Sequence, residues 1–280
     1  MKSFIFTVIV LAFSTSYATE ESRFKLLTSK CEFEANNSLD TSPQSPPLNI
    51  DDPATPGCNK WEINFTVNAD VTQTEKNWQL PLLDINYGIG DNLQLKYEIP
   101  LEKNQTEGST ESKVGNSKVG LKYLFFEDEE SHLDIGFYPQ VEFVKADGNN
   151  SDSKSSTVTT LPLLISKKLS ETPNGDIMLA TNIGYSKSSD KNIADMASLA
   201  TGVGMPLFSK VSIMAELSTE QAMTNREDIR EQIIIANFGA MTSITKNIFL
   251  YGSLGKSLYA SDEKDHTYFL TGIRVLAGGF

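Results

Sequence analysis

The chain has 280 residues, a formal net charge of −12 and 39% hydrophobic residues. That negative balance excludes nucleic acid as a partner, because such binding rests on cations that neutralise phosphates. No Cys-x-x-Cys, His-x-x-x-His, Walker or dinucleotide-glycine pattern occurs, so no metal, cofactor or enzymatic role is expected.

The first elements are not strands. Lys2, the apolar run from Phe4 to Phe13 and Ser16-Tyr17-Ala18 make a leader with a small-residue cleavage site. Residues 1–18 are therefore expected to be a cleaved signal peptide. The competing reading is an uncleaved anchor, for which the apolar run is short. Beyond it no stretch approaches the ~20 apolar residues of a membrane helix. Residues 19–59 are rich in Pro, Asp, Ser and Asn and carry no sustained period. They read as an irregular N-terminal periplasmic segment or a partial plug. The two cysteines, Cys31 and Cys58, both fall there. In an exported chain they are expected to pair, the alternative being two free thiols.

From Lys60 the pattern changes. In KWEINFTVNADV the residues Trp61, Ile63, Phe65, Val67 and Ala69 alternate with Glu62, Asn64, Thr66 and Asn68. A period of two is a strand with one apolar and one polar face. The alternation returns near 78–87, 92–102, 117–126, 132–144, 157–167, 176–186, 194–206, 210–219, 231–243, 247–258 and 266–277. About twelve strands of about ten residues suit tilted strands that cross a bilayer.

The links sort by parity. Tight turns are expected at 88–92, 127–131, 207–210 and 245–247, and longer polar loops at 103–116, 145–156, 220–230 and 259–265. Short periplasmic turns and longer external loops are the habit of an outer-membrane barrel. The link at 168–175 is long for a turn and blurs the sorting. The run from Ala215 to Gln232 is the one place with helix-favouring residues, at most a short helix on a loop. Twelve aromatics, among them Trp61, Trp78, Tyr87, Tyr97, Phe249, Tyr251 and Tyr268, are read as interface girdles. Pro81, Pro100, Pro139 and Pro162 fall inside predicted strands, and each lacks the N–H a ladder uses, so bulges or strand ends are expected there. The fold class read from this is all-β: an antiparallel, transmembrane up-and-down barrel over residues 60–280, of the bacterial outer-membrane type.

If the aromatic and aliphatic face points outward, parity places a charged set inside. The pore-lining candidates are Glu62, Asn64, Asp84, Lys96, Glu98, Lys118, Lys122, Asp134, Glu142, Glu216 and Arg274. Mixed charge on one interior suits a salt-bridged lumen, open or plugged. His132, beside a predicted periplasmic turn, and His266, at the start of the last strand, sit at opposite ends of the barrel and cannot share a site, and Ser261 near His266 is not a triad by adjacency alone. The C-terminal Phe280 is the aromatic that barrel-assembly machinery commonly reads, although Gly278-Gly279 interrupts the alternation before it.

PPLNIDDPATPGCNKWEINF, LPLLDINYGIGDNLQLKYEIP and GNSKVGLKYLFFEDEESHLDIGFYPQVEF resemble one family over residues 48–143. It is the outer-membrane transporter-like family labelled for the meta-cleavage pathway of phenol degradation. The resemblance implies a β-barrel of the outer membrane, embedded in its lipid, that passes small solutes, aromatic or hydrophobic compounds among them. Cys58 and the Asn/Ser/Asp-rich loops depart from that pattern. The alternative function is a structural or adhesive barrel with a closed lumen and acidic external loops.

Overall fold

The computed structural model describes residues 23–27, 31, 50–146, 154–223 and 232–278. The leader and Phe280 lie outside the described residues. Fifteen strands follow in order: β1 Lys60–Val71, β2 Glu75–Gly88, β3 Leu93–Thr106, β4 Ser109–Val114, β5 Ser117–Asp128, β6 Leu133–Phe137, β7 Gln140–Val144, β8 Ser156–Thr160, β9 Leu163–Thr172, β10 Gly175–Ser188, β11 Met196–Phe208, β12 Val211–Ala222, β13 Gln232–Thr245, β14 Ile248–Ala260 and β15 Thr267–Gly278. Among the described residues there is no helix.

Three pairs of strands are single staves with a break. β3 pairs with both β4 and β5, β5 pairs with both β6 and β7, and β10 pairs with both β8 and β9. Twelve antiparallel staves result, and β1 pairs with β2 on one side and β15 on the other. The ring is closed, so no sheet edge is left along its length.

The breaks fall where the prolines are. Pro139 separates β6 from β7 and Pro162 separates β8 from β9, while Pro81 sits in the register shift of β2 between Gln79 and Leu82. Pro100 lies opposite Leu82, and its carbonyl accepts from the amide of Gly115, at the break between β4 and β5. The carbonyls of Pro139 and Pro162 likewise accept from Leu121 and Tyr138, so the wall stays hydrogen-bonded across the irregular row.

The link lengths correct three expectations. Residues 103–116 are not a loop: β3 and β4 continue as an exposed hairpin, closed by Glu107 and Gly108, where Gly108 takes φ +84°. Between β9 and β10 only Pro173 and Asn174 intervene, so 168–172 is strand, the link is a tight turn, and the sorting is cleaner than the sequence suggested. Ala215–Ala222 is part of β12 and not helical, because its side chains alternate between lumen and exterior; 224–231 lies outside the described residues. The tight turns after β2, β5, β9, β11 and β13 share one end of the barrel, here the lower end, with Lys60 and Gly278.

Outward positions form an apolar belt. Phe65, Leu95, Ile183, Leu217, Phe238 and Leu254 are all exposed, Leu254 to 63%. Exposed apolar area continuous around a ring of strands is what lipid covers and water does not.

Candidate functional site

Parity carries the polar face of β1 inward. Asn64 and Thr66 are 5% exposed, while their neighbour Phe65 is 48% exposed. Register then aligns Asn64 with Asp84 on β2 and Arg274 on β15, Asp84 with Glu98 on β3, and Gln94, Lys96 and Glu98 with Lys122, Gly120 and Lys118 on β5.

These side chains form one network over five staves. The Arg274 Nε donates to Asn64 Oδ1 at 3.1 Å and lies 3.5 Å from Glu62. Asn64 Nδ2 donates to Glu62 and Asp84, Asn86 donates to Asp84, and Gln94 donates to Asn86. The Lys96 ammonium is 3.0 Å from Glu98 and 3.6 Å from Asp84, and Lys118 reaches Glu98 at 3.4 Å. Buried charge is tolerable only when so paired.

Residues 50–56 enter this interior. The chain rises from Cys58, which is disulfide-bonded to Cys31, with Cα atoms 5.6 Å apart. Gly57 (φ +83°) passes so close to Gly88 that a Cβ on Gly88 would collide with its carbonyl. Thr55 donates to the Asp91 carbonyl, and the Lys122 ammonium donates to the carbonyls of Asp52 (2.9 Å) and Ala54 (3.3 Å). Pro53 is fully buried against Gly136. On the far wall the amide of Ile50 donates to Glu216 at 3.0 Å, and its side chain packs with Ala180, Ala200 and Met214. The segment thus crosses the lumen from the β11–β12 wall to the β5–β6 wall. Upstream, Arg23–Leu27 is clipped to the lower rim: Phe24 bridges Phe126, Arg23 pairs with Asp128, and Lys25 pairs with Glu127.

Beside this segment a cavity of about 780 Å³ remains. Of the candidates, Glu62, Asn64, Asp84, Lys96, Glu98, Lys122 and Arg274 line it. Lys118 and Glu142 continue the polar wall, Glu142 accepting from Asn116 at 2.8 Å. Glu216 is brought to the plug and to Asn237 instead. Asp134 stands apart, beside Ser166 and Glu127 near the lower turn.

Several interior residues escaped the sequence reading. Phe249 and Tyr251, assigned to a girdle, are 3% and 5% exposed and point inward, because β14 pairs them with Arg274 and Gly272. The Tyr251 hydroxyl bonds Thr66 over Gly272, whose missing Cβ makes room. Tyr268 lines the cavity as well. Tyr138 is buried under the ammonium groups of Lys122 and Lys96, 5.1 and 5.9 Å from its ring centre. Tyr138 has the parity of the candidate Asp134, although the sequence reading did not single it out. At the upper rim His266 lies between Asp70 and Asp262 and makes no bond to Ser261, whose hydroxyl accepts from Gln232.

Among solved structures, an outer-membrane channel from Pseudomonas putida F1 superposes with a TM-score of 0.62 at 12% identity, covering 82% of this chain and 100% of that one. The NanC porin superposes with a TM-score of 0.52 at 9% identity, covering 76% and 98%. No family model and no curated protein matches the chain. At such identities the likeness establishes the fold: a closed twelve-stave barrel like those of outer-membrane porins.

Proposed function

We propose that the chain is an outer-membrane channel for small solutes, with its tight turns and N-terminal segment on the periplasmic side. The observation that carries this reading is the pairing of an outward apolar belt with a charge-lined cavity inside a closed barrel. A barrel that only filled its interior would have no need of a cavity about the size of a drug-binding pocket. On this reading the pore-lining residues are the network of Glu62, Asn64, Asp84, Lys96, Glu98 and Arg274. Residues 50–56 are a plug that must shift for passage, held by Lys122 and Glu216. The barrel is delivered by the leader and assembled through Phe280.

The plug itself favours a second reading, a closed structural or adhesive barrel. Planar-bilayer conductance and liposome swelling of the full mature chain separate the two. Discrete conductance that rises when Lys122 is changed to Met supports the channel; no conductance in either form supports the closed barrel. The finer family resemblance suggests small aromatic solutes. Uptake of such compounds by cells with and without the protein is its test.

A further inference from the structure

The cavity has two unlike walls. One comprises β1–β3 and β5 and is mostly polar, with carboxylates, carboxamides and the ammonium groups of Lys96 and Lys122. The other comprises β13–β15 and turns Met241, Phe249, Tyr251, Leu270 and Leu276 inward, where barrel interiors are ordinarily polar.

Among the described lining residues, the wall strands supply five carboxylates against three cations, and the plug adds Asp51 and Asp52. With the plug seated the lining holds seven carboxylates, and these still outnumber the cations when the partners that reach them from outside the lining are counted, Lys118 at Glu98, Lys113 at Glu102 and His266 at Asp70. With the plug seated, none of the three cations is offered to an incoming anion. Lys96 is taken by Asp84 and Glu98, Arg274 by Glu62 and Asn64, and Lys122 by two plug carbonyls, with Asp51 at 3.8 Å. An anion would meet carboxylates in a confined space of lowered dielectric, where repulsion exceeds its value in bulk water. A cation meets attraction from the same groups and from aromatic faces nearby. A solute that uses both walls carries an apolar body and a positive charge.

We infer that the cavity beside the seated plug selects small organic cations with an apolar body, such as arylalkyl ammonium ions, over anions of the same shape. This rests on the channel reading and deepens it.

The test uses the full mature chain, folded in detergent, titrated calorimetrically with benzylammonium, benzyl alcohol and benzoate. The three share a ring and differ in charge. Benzylammonium should bind most tightly and benzoate at least about tenfold more weakly, with the gap narrowing as salt rises. Glu102→Gln removes one lining carboxylate whose own partner, Lys113, is at 3.9 Å. It should narrow the gap without touching the central network. Benzoate or benzyl alcohol binding as tightly as benzylammonium overturns the inference. So does the absence of binding by all three to folded protein, or a gap that neither salt nor Glu102→Gln alters. Reversal potentials in a salt gradient keep the two claims distinct. Conductance with anion preference leaves the channel standing and sinks the inference, whereas benzylammonium binding without conductance does the opposite.

Discussion

The two arcs of the barrel wall are built differently. From β2 to β9 every stave carries an interruption, at Pro81, Pro100, Gly115, Pro139 and Pro162 in turn. From β11 to β15 the ladders run unbroken except for shifts near strand ends, at Pro206/Phe208, Ile234/Ile235 and Ser243/Thr245. The broken arc holds most of the ionic network and the Lys122 grip on the plug. The regular arc presents small or apolar groups, with Gly202, Ala200 and Met214 receiving Ile50. A closed ring of backbone bonds can absorb local defects as long as each lost N–H is compensated by a neighbour. The defects here lie along the wall where inward side chains crowd most, around Tyr138, Lys96 and Lys122.

The largest expected effect tests whether both arcs face lipid. Leu217, at the middle of β12, is 47% exposed, and Val119 in β5 is 39% exposed. An arginine at either position should destabilise the barrel by about 2–4 kcal/mol if it sits near the bilayer midplane. Urea unfolding in vesicles and heat-modifiable migration measure this. A severe loss for Leu217→Arg beside a neutral Val119→Arg would mean that the broken arc does not meet the membrane.

The same contrast explains what could be read in advance. In the regular arc the period of two runs through whole strands, so the alternation of β12 and β13 reveals which residues point inward. In the broken arc, prolines and polar tracts mimic loop composition. Residues 103–116 therefore read as a loop although Leu101 to Thr106 pair residue by residue with Ser109 to Val114. A partial plug was one of two expectations for residues 19–59, and which residues enter the lumen was not legible for another reason. Residues 50–56 have no period because the bonds that seat them in the lumen go to distant partners, Ile50 to Glu216 and Asp52 to Lys122. Phe249 and Tyr251 were misassigned because composition says where aromatics usually go, whereas register across Gly272 says where these two do go.

Intermediate effects come from the two ends of the plug. Lys122→Met in the broken arc deletes both carbonyl contacts, and a charged hydrogen bond contributes ~1.5–3 kcal/mol. Proteolysis near residue 52 should accelerate and conductance should rise, with the barrel still heat-modifiable. Gly202→Ala in the regular arc acts through packing. The added Cβ would stand 2.7 Å from Met214 Cε, 2.8 Å from the Ala215 carbonyl and 3.0 Å from Ile50 Cδ1. Overpacking of this kind costs roughly 1–3 kcal/mol, less where flexible ends give way. It should loosen Ile50 with a smaller rise in conductance than Lys122→Met. The reverse order would place the main hold on the regular arc.

The smallest effect belongs to the seam where β15 closes onto β1. His266 Nδ1 lies 3.0 and 3.1 Å from the two carboxylate oxygens of Asp70, and Nε2 lies 3.1 Å from Asp262. Both ring nitrogens can donate only in the protonated imidazole. Burial lowers the His266 pKa, but the bonds and charges of Asp70 and Asp262 outweigh it and raise the value from 6.5. For Asp262 burial acts upward, and the Lys264 amide and His266 outweigh it and hold the carboxyl low. Nearby charges are paired elsewhere, Lys264 with Glu75 and, at 3.9 Å, Lys256 with Asp265, while Tyr268 stacks on the ring. A pKa raised by folding means that the contribution is fully present below 6.5 and is lost as pH rises through the folded value. Amide exchange of residues 261–266, corrected for its intrinsic pH dependence, should therefore be slower at about pH 5.5 than at about pH 9. His266→Gln should abolish that difference while leaving the rest of the barrel protected. Equal protection at both pH values in the unaltered chain would show that the imidazole stays neutral, and that one of the two carboxylates accepts no proton from it.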